Sequence, residues 1–270
     1  MSTTAGGIVW EPSERWVRGR RGDLTIVDSR RPVLVWEPGS VVPLYAFPEE
    51  DVRTDLLRPS ADPPAAAHGA GATFYDLTVD GATAGNAAWR FSAPDLAGHI
   101  AFEWFRWSSA GAPGVQRWFE EDEEIFVHPR DPHKRVDAIA SSRHVVVRID
   151  GTTVADTRAP VLVFETGLPT RYYLPRADVR LDLFEQTDLH TGCPYKGTAE
   201  YWSVRGPGSA PANVAWSYPD PLPAVGAIRG YVAFYNEAVD LTVDGIQLQR
   251  PVTAFSQRLA VTVPTTSPGD

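Results

Sequence analysis

Asp28-Ser-Arg-Arg-Pro-Val-Leu-Val-Trp36-Glu37 returns later in the chain as Asp156-Thr-Arg-Ala-Pro-Val-Leu-Val-Phe164-Glu165, 128 residues on. A second block follows each copy: Leu44-Tyr-Ala-Phe-Pro48-Glu-Glu-Asp51-Val-Arg53-Thr-Asp55 matches Arg171-Tyr-Tyr-Leu-Pro175-Arg-Ala-Asp178-Val-Arg180-Leu-Asp182 at an offset of 127. Asn86-Ala-Ala-Trp89 then matches Asn213-Val-Ala-Trp216, and Gly98-His-Ile-Ala-Phe102 matches Gly230-Tyr-Val-Ala-Phe234. Four blocks in one order mean an internal duplication, which decides the organisation before any finer reading. The 270 residues divide into an extended leader at 1–13, a first module at 14–128, a linker at 129–133, a second module at 134–252 and a polar tail at 253–270.

Each module reads as antiparallel β. Val145 to Ile149, then Asp150-Gly151, then Thr152 to Ala155 is a hairpin signal, because Asp-Gly supplies the positive φ angles of a tight turn. Pro160 to Phe164, Tyr172 to Leu174, Ala199 to Val204, Val214 to Trp216, Tyr231 to Tyr235 and Val239 to Val243 are further expected strands. Val179 to Phe184 alternates like a half-buried strand, which would set Asp178, Arg180 and Asp182 on one face as an ion-pair ladder, with Asp51, Arg53 and Asp55 repeating it. Pro175 to Asp178 suits a single helical turn. No segment carries a long helical period, and 22 glycines with 24 prolines interrupt the chain too often for long helices. The expected fold is all-β: two tandem small antiparallel modules with at most single helical turns.

Composition narrows the partners. The formal charge of -9 argues against a nucleic-acid or anionic-membrane surface, since such partners select a basic face. No run approaches the roughly 18 uninterrupted apolar residues of a membrane helix, and residues 1–16 lack the apolar core of a targeting signal. The lone cysteine, Cys193, excludes an intrachain disulfide and a cysteine-rich zinc site, so the cytoplasm is the expected location and no cofactor is expected. The run Glu120-Glu-Asp-Glu-Glu124 reads as a solvated charged strip next to a strand.

The two modules differ where chemistry would sit. The second contains Thr191-Gly-Cys193-Pro-Tyr195-Lys196-Gly197-Thr198, whereas the first has His68-Gly-Ala-Gly-Ala72-Thr73 there, a loss of polar groups. Cys193 and Lys196, one of only two lysines, fall within four positions of each other on a turn made by Pro194 and Gly197. A nearby ammonium favours a thiolate, and His190 stands three residues before Cys193 as a possible base. Seven of the nine tyrosines lie at or after Tyr172. Tyr172, Tyr173, Tyr195, Tyr201, Trp202, Trp216 and Tyr218 combine apolar faces with polar tips, the mixture that small-ligand pockets use. Two-residue spacing sets Trp216 and Tyr218 on one face of a strand, while Tyr201 and Trp202 must face opposite ways.

Cys193-Pro-Tyr-Lys-Gly197, with Glu200-Tyr-Trp-Ser-Val204, Ala215-Trp-Ser-Tyr-Pro219 and Tyr231-Val-Ala-Phe-Tyr235, resembles the domain of unknown function 427 family, also labelled nucleotidyltransferase-like, in its tandem bacterial form. The resemblance spans nearly all of 14–252. It is sharper in the second module, because the first lacks the Cys-Pro-Tyr-Lys-Gly string. It implies modules whose two antiparallel sheets meet like a tent roof. Relatives of that architecture commonly hold a zinc between two cysteine pairs, and some hold small polar rings in an aromatic cage. One cysteine cannot supply such a zinc site, so the pocket the resemblance implies is metal-free. The transferase label finds no Gly-Ser with paired aspartates in this sequence.

Three functions follow as expectations. The first is a small polar metabolite bound by Tyr172, Tyr195, Lys196, Trp216 and Tyr218 of the second module, with the first module as structural support. The second is a transferase-type enzyme using Cys193, Lys196 and His190. The third is a scaffold that offers the acidic strip at 120–124 to a protein partner.

Overall fold

In the computed structural model, residues 1–4, 6–64, 68, 71–104, 114–206, 208 and 210–259 are described. The chain divides into two compact units, Met1–Asp131 and Pro132–Asp270. Each is a pair of antiparallel sheets.

In the second unit the larger sheet runs, in spatial order, Val136–Ala140, Val161–Glu165, Arg171–Leu174, Val232–Phe234, Ala215–Ser217, Gly197–Val204 and Phe184–Cys193. The smaller sheet runs Thr152–Thr157, Val145–Ile149, Asp240–Val243 and Ile246–Gln247. The first unit repeats the plan. Its larger sheet runs Ser2–Thr3, Val9–Pro12, Val33–Trp36, Leu44–Pro48, His99–Phe102, Ala82–Arg90, Thr73–Val79 and Leu57–Pro59. Its smaller sheet runs Glu123–Ile125, Arg117–Glu120, Val17–Arg21 and Leu24–Ser29.

Local chemistry accounts for the turns. Asp150 and Gly151 take φ of 48° and 77°, the left-handed pair that a two-residue hairpin needs to match strand twist. Asn86 and Asn213, equivalent in the repeat, both sit at positive φ (53° and 58°), a region asparagine tolerates better than most residues. In each case the backbone N–H is taken by a neighbouring side chain, Asp76 at 2.9 Å and Ser203 at 2.9 Å. Asn86 lies within Ala82–Arg90, the strand that carries Trp89, and Asn213 stands just before Ala215–Ser217, which carries Trp216.

Between the sheets of the second unit, Val145, Val147 and Ile149 pack on Leu162, Tyr172, Leu174, Trp202 and Phe234. The matching core of the first unit holds Val17, Ile26, Leu34, Tyr45, Phe47, Ile100 and Trp118. Each fully buried aliphatic or aromatic side chain contributes about 1.5–3 kcal/mol. The outer face of each larger sheet carries a second cluster. Tyr173, Tyr201, Trp216 and Tyr218 meet Val225 and Ile228 of the turn Pro223–Ile228 in the second unit, and Trp89, Phe74, Phe91 and Leu96 gather in the first.

The strand and the ion-pair ladder expected at 178–184 are corrected. Val179 to Phe184 is not a strand: Val179 makes one bridge to Ala155, Leu181–Leu183 is a 3-10 turn, and the strand starts at Phe184. Leu181 and Leu183 reach the inter-sheet core from that turn, so the alternating pattern is satisfied without an extended backbone. The supposed ladder is a local Arg180–Asp182 pair at 3.1 Å, repeated as Arg53–Asp55 at 2.7 Å. The leader at 1–13 supplies Val9–Pro12, which pairs with Val33–Trp36 as Val136–Ala140 pairs with Val161–Glu165. The stretch expected as a polar tail opens with a helix, Ala254–Arg258. Thr253 caps it by accepting the Phe255 N–H at 3.0 Å, and Phe255 lies against Tyr235 with ring centroids 5.7 Å apart. Residues 260–270 of the expected tail lie outside the described residues. No described helix is long and apolar enough to cross a membrane.

Candidate functional site

The outer face of the second module's larger sheet gathers most of the chemistry. Strands Arg171–Leu174, Ala215–Ser217 and Gly197–Val204 alternate their side chains, so Tyr173, Trp216 and Tyr201 emerge on this face and Tyr172 and Trp202 on the other. Tyr218, two residues past Trp216, joins the same cluster. Trp216 Nε1 donates to Tyr173 Oη at 3.0 Å, the two rings meeting edge to face at 89°. Tyr235 lies 4.5 Å from Trp216, and Thr191 Oγ1 bonds Tyr201 Oη at 2.8 Å.

The long hairpin of Phe184–Cys193 and Gly197–Val204 delivers the Cys193–Gly197 turn to this face. Gly197 has φ of 101°, and a Cβ there would sit 3.1 Å from the Asp220 carbonyl oxygen, so the turn requires glycine. Lys196 Nζ forms an ion pair with Glu165, and both side chains are nearly buried, at 12% and 9% exposure. Cys193 packs at the edge of the aromatic cluster. Burial pushes the Tyr173 phenol far above its usual range against the hydrogen bond from Trp216, with the neighbouring Cys193 and Glu165 adding to the rise. Tyr218 is raised first by burial, then by Tyr173, Cys193, Tyr201 and Glu165.

A second charge pair borders the cluster. Arg171 Nη1 and Nη2 donate to Glu237 at 2.6 and 2.8 Å, with side-chain exposures of 8% and 0%. Thr253 Oγ1 donates to the same carboxylate at 2.7 Å. The guanidinium lies 5.7 Å from Trp216, 5.6 Å from Tyr235 and 5.5 Å from Phe255, within cation–π range of all three rings. Burial raises the Glu237 carboxyl, but the hydrogen bonds and charge of Arg171 outweigh it and hold the group below its usual value.

Among the expected site residues, Cys193, Trp216 and Tyr218 share this face, and Lys196 joins them through Glu165. Tyr195 occupies the same turn and is partly buried. Tyr172 is corrected: adjacent strand residues face opposite ways, and it lies in the inter-sheet core beside Arg143 and Asp244, as its counterpart Tyr45 lies in the core of the first unit. His190 is corrected too. It stands exposed opposite Glu200, while Thr191, Cys193 and Tyr201 occupy the other face, so it does not meet the thiol as a base. Tyr173 and Tyr201 stood among the aromatic pocket candidates without being assigned to the site, and Glu165, Tyr235 and the Arg171–Glu237 pair escaped the sequence reading. Glu165 was signalled by the repeat itself, since Glu37 and Glu165 close its first block.

The first module has not lost its polar groups. There His68, nine residues beyond the edge strand Leu57–Pro59, meets Glu37. His68 Nδ1 lies 3.0 Å from both carboxylate oxygens, and because a carboxylate only accepts, that nitrogen carries the proton. The imidazole stacks on Trp89 with centroids 3.5 Å apart and planes 11° from parallel. Equivalent residues of the two modules thus hold a carboxylate (Glu37, Glu165) and an indole (Trp89, Trp216), and each carboxylate takes a nitrogen group from a different loop.

The acidic strip is largely neutralised within its own module. Glu120 is buried and accepts from Arg15 at 3.2 Å and Tyr45 at 3.0 Å; Asp122 pairs with Arg18 at 3.0 Å, Glu123 with Arg130 at 2.8 Å and Glu124 with Arg117 at 2.6 Å. Glu121 accepts the backbone N–H of Trp16 at 2.8 Å. The two cysteine pairs of zinc-bearing relatives are missing, and among the described residues no group of three His, Cys, Asp or Glu side chains is placed to hold a metal.

One family model matches the chain twice, over residues 9–109 and 137–245, and its description is Domain of unknown function (DUF427). No curated protein matches the chain.

Proposed function

The chain belongs to the DUF427 family, with one copy of the domain in each unit, and on that premise we propose that the second module binds a small polar metabolite at the outer face of its larger sheet. The observation that carries this reading is the nearly buried Lys196–Glu165 pair beside Tyr173, Trp216 and Tyr218. Moving two charges out of water costs several kcal/mol per ion, and an ion pair recovers that only with excellent geometry and further hydrogen bonds, so packing alone is a weak reason to keep one there. The tyrosine hydroxyls and the indole supply stacking area and fixed polar contacts. An anionic group on the ligand would engage Lys196 in exchange for Glu165.

A metabolite thermal-shift screen on the full chain tests this. A ligand of the site raises the melting temperature of the wild type and loses most of that effect in Lys196→Ala and Trp216→Phe. If no compound raises wild-type melting selectively over both variants, the reading is wrong.

Cys193, set against the same aromatic face, supports a second reading: a group-transfer enzyme with a thiolate nucleophile. Alkylation by iodoacetamide against pH separates the two. A nucleophile of this kind titrates well below the ordinary thiol value of about 8.5, and a midpoint at or above it removes the enzyme reading.

A further inference from the structure

We propose that the first module carries a binding site of its own, a stacking slot for a planar nitrogen heterocycle, which His68 occupies as a tethered stand-in. Trp89 is 2% exposed, yet its Nε1–H has no hydrogen-bond partner. The equivalent Trp216 gives its N–H to Tyr173, and the first module has Ala46 at that position. A buried donor left without an acceptor keeps its full desolvation cost. The buried Nε1 of Trp10 and Nδ1 of His99 are orphaned as well. Trp10 pairs with Val35 and His99 stands two residues before Ala101; Val35, Trp89 and Ala101 belong to one outer-face cluster, so the three unpaired atoms share that face.

His68 fits as an occupant rather than as part of the wall. It brings a flat ring to the face of Trp89 and an N–H to Glu37. It does so from a backbone at φ of 59°, a sparsely populated region for a non-glycine residue, which its side-chain contacts must hold in place. In sequence, residues 60–72 around it are alanine, glycine and proline apart from Ser60, Asp62 and His68. What the imidazole leaves undone is the indole N–H. A free heterocycle with a ring N–H for Glu37 and a carbonyl or pyridine-type nitrogen for Trp89 would satisfy both, and would gain entry by displacing one side chain. This inference concerns other residues than the second-module site and stands if that reading fails.

The test uses the full chain and imidazole as the probe, followed by tryptophan fluorescence. His68→Gly empties the slot and should bind imidazole about tenfold or more tighter than wild type, which must first expel its own ring. Adding Glu37→Gln to His68→Gly should reverse that gain, since the charge-assisted hydrogen bond is lost. Thiazole, of similar shape but without an N–H, should not bind, and Lys196→Ala should leave the imidazole response unchanged. If glycine destabilises the loop, His68→Ala is read by the rise in melting temperature on adding imidazole. Equal imidazole affinity in wild type and His68→Gly, thiazole binding as well as imidazole, or no dependence on Glu37 would each overturn the proposal.

Discussion

The two modules answer one problem differently: what to put against a shared carboxylate and a shared indole on the outer face of a sheet. The second module extends Phe184–Cys193 into a long hairpin and delivers Lys196 from its tip, where the first ends its edge strand at Leu57–Pro59 and sets His68 against the carboxylate instead. The second fills the space beside its indole with Tyr173 and so bonds Trp216, whereas the first keeps Ala46 and leaves Trp89 unpaired. Edge-strand length and one tyrosine therefore separate a closed, internally bonded face from one that a loop histidine plugs. A duplicated frame preserves backbone and core while its edges diverge.

The sharpest break of the comparison is Glu237. Arg171 and Glu237 exist as a pair only in the second module, since Leu44 stands where Arg171 would be. Glu237→Ala leaves a buried guanidinium without its partner and should cost the second module about 3–5 kcal/mol, read by hydrogen exchange along Arg171–Leu174, with the first module unaffected. The carboxyl is held below its usual value. Its contribution to stability is therefore present above the unfolded value of about 4.3 and lost as pH falls through the folded one. Acid should loosen the second module through this group, and Glu237→Gln should flatten that part of the pH profile.

A smaller effect is expected at the indoles. Tyr173→Phe takes away the acceptor and leaves the Trp216 N–H buried and unpaired, at about 1–3 kcal/mol by denaturant unfolding. That variant gives the second module the bonding state of the first, and an unchanged midpoint would mean the bond is not formed. Least of all, Asp182→Asn removes an exposed pair, Arg180–Asp182, that recurs as Arg53–Asp55. The unfolding midpoint should stay where it is, because such surface pairs are screened by water and salt.

Much of the fold could be read from the chain because the duplication checks each element twice: Asp-Gly turns, alternating strands and the tryptophan blocks recur in order. The misreadings came where pattern and backbone separate. Leu181 and Leu183 fit a strand's alternation but reach the core from a 3-10 turn. Tyr172 and Tyr173 are neighbours in sequence and opposite in the sheet, so choosing one for the site required the register of Arg171–Leu174 against Val232–Phe234. The site pairs were hidden by distance along the chain. Lys196 lies 31 residues from Glu165, and Arg171 lies 66 from Glu237. The strand order that sets Arg171–Leu174 beside Val232–Phe234, with Glu237 just beyond, brings the second pair together, and the first closes at the tip of the hairpin of Phe184–Cys193 and Gly197–Val204.

The central claim is that the modules hold two separate stations built on equivalent tryptophans, and the indole N–H resonances of Trp89 and Trp216 report on both in one spectrum. Imidazole added to His68→Gly should move the Trp89 signal and leave Trp216 in place, while a ligand from the metabolite screen should move Trp216 and leave Trp89. Both signals moving together with either compound, or neither moving with both, would contradict it.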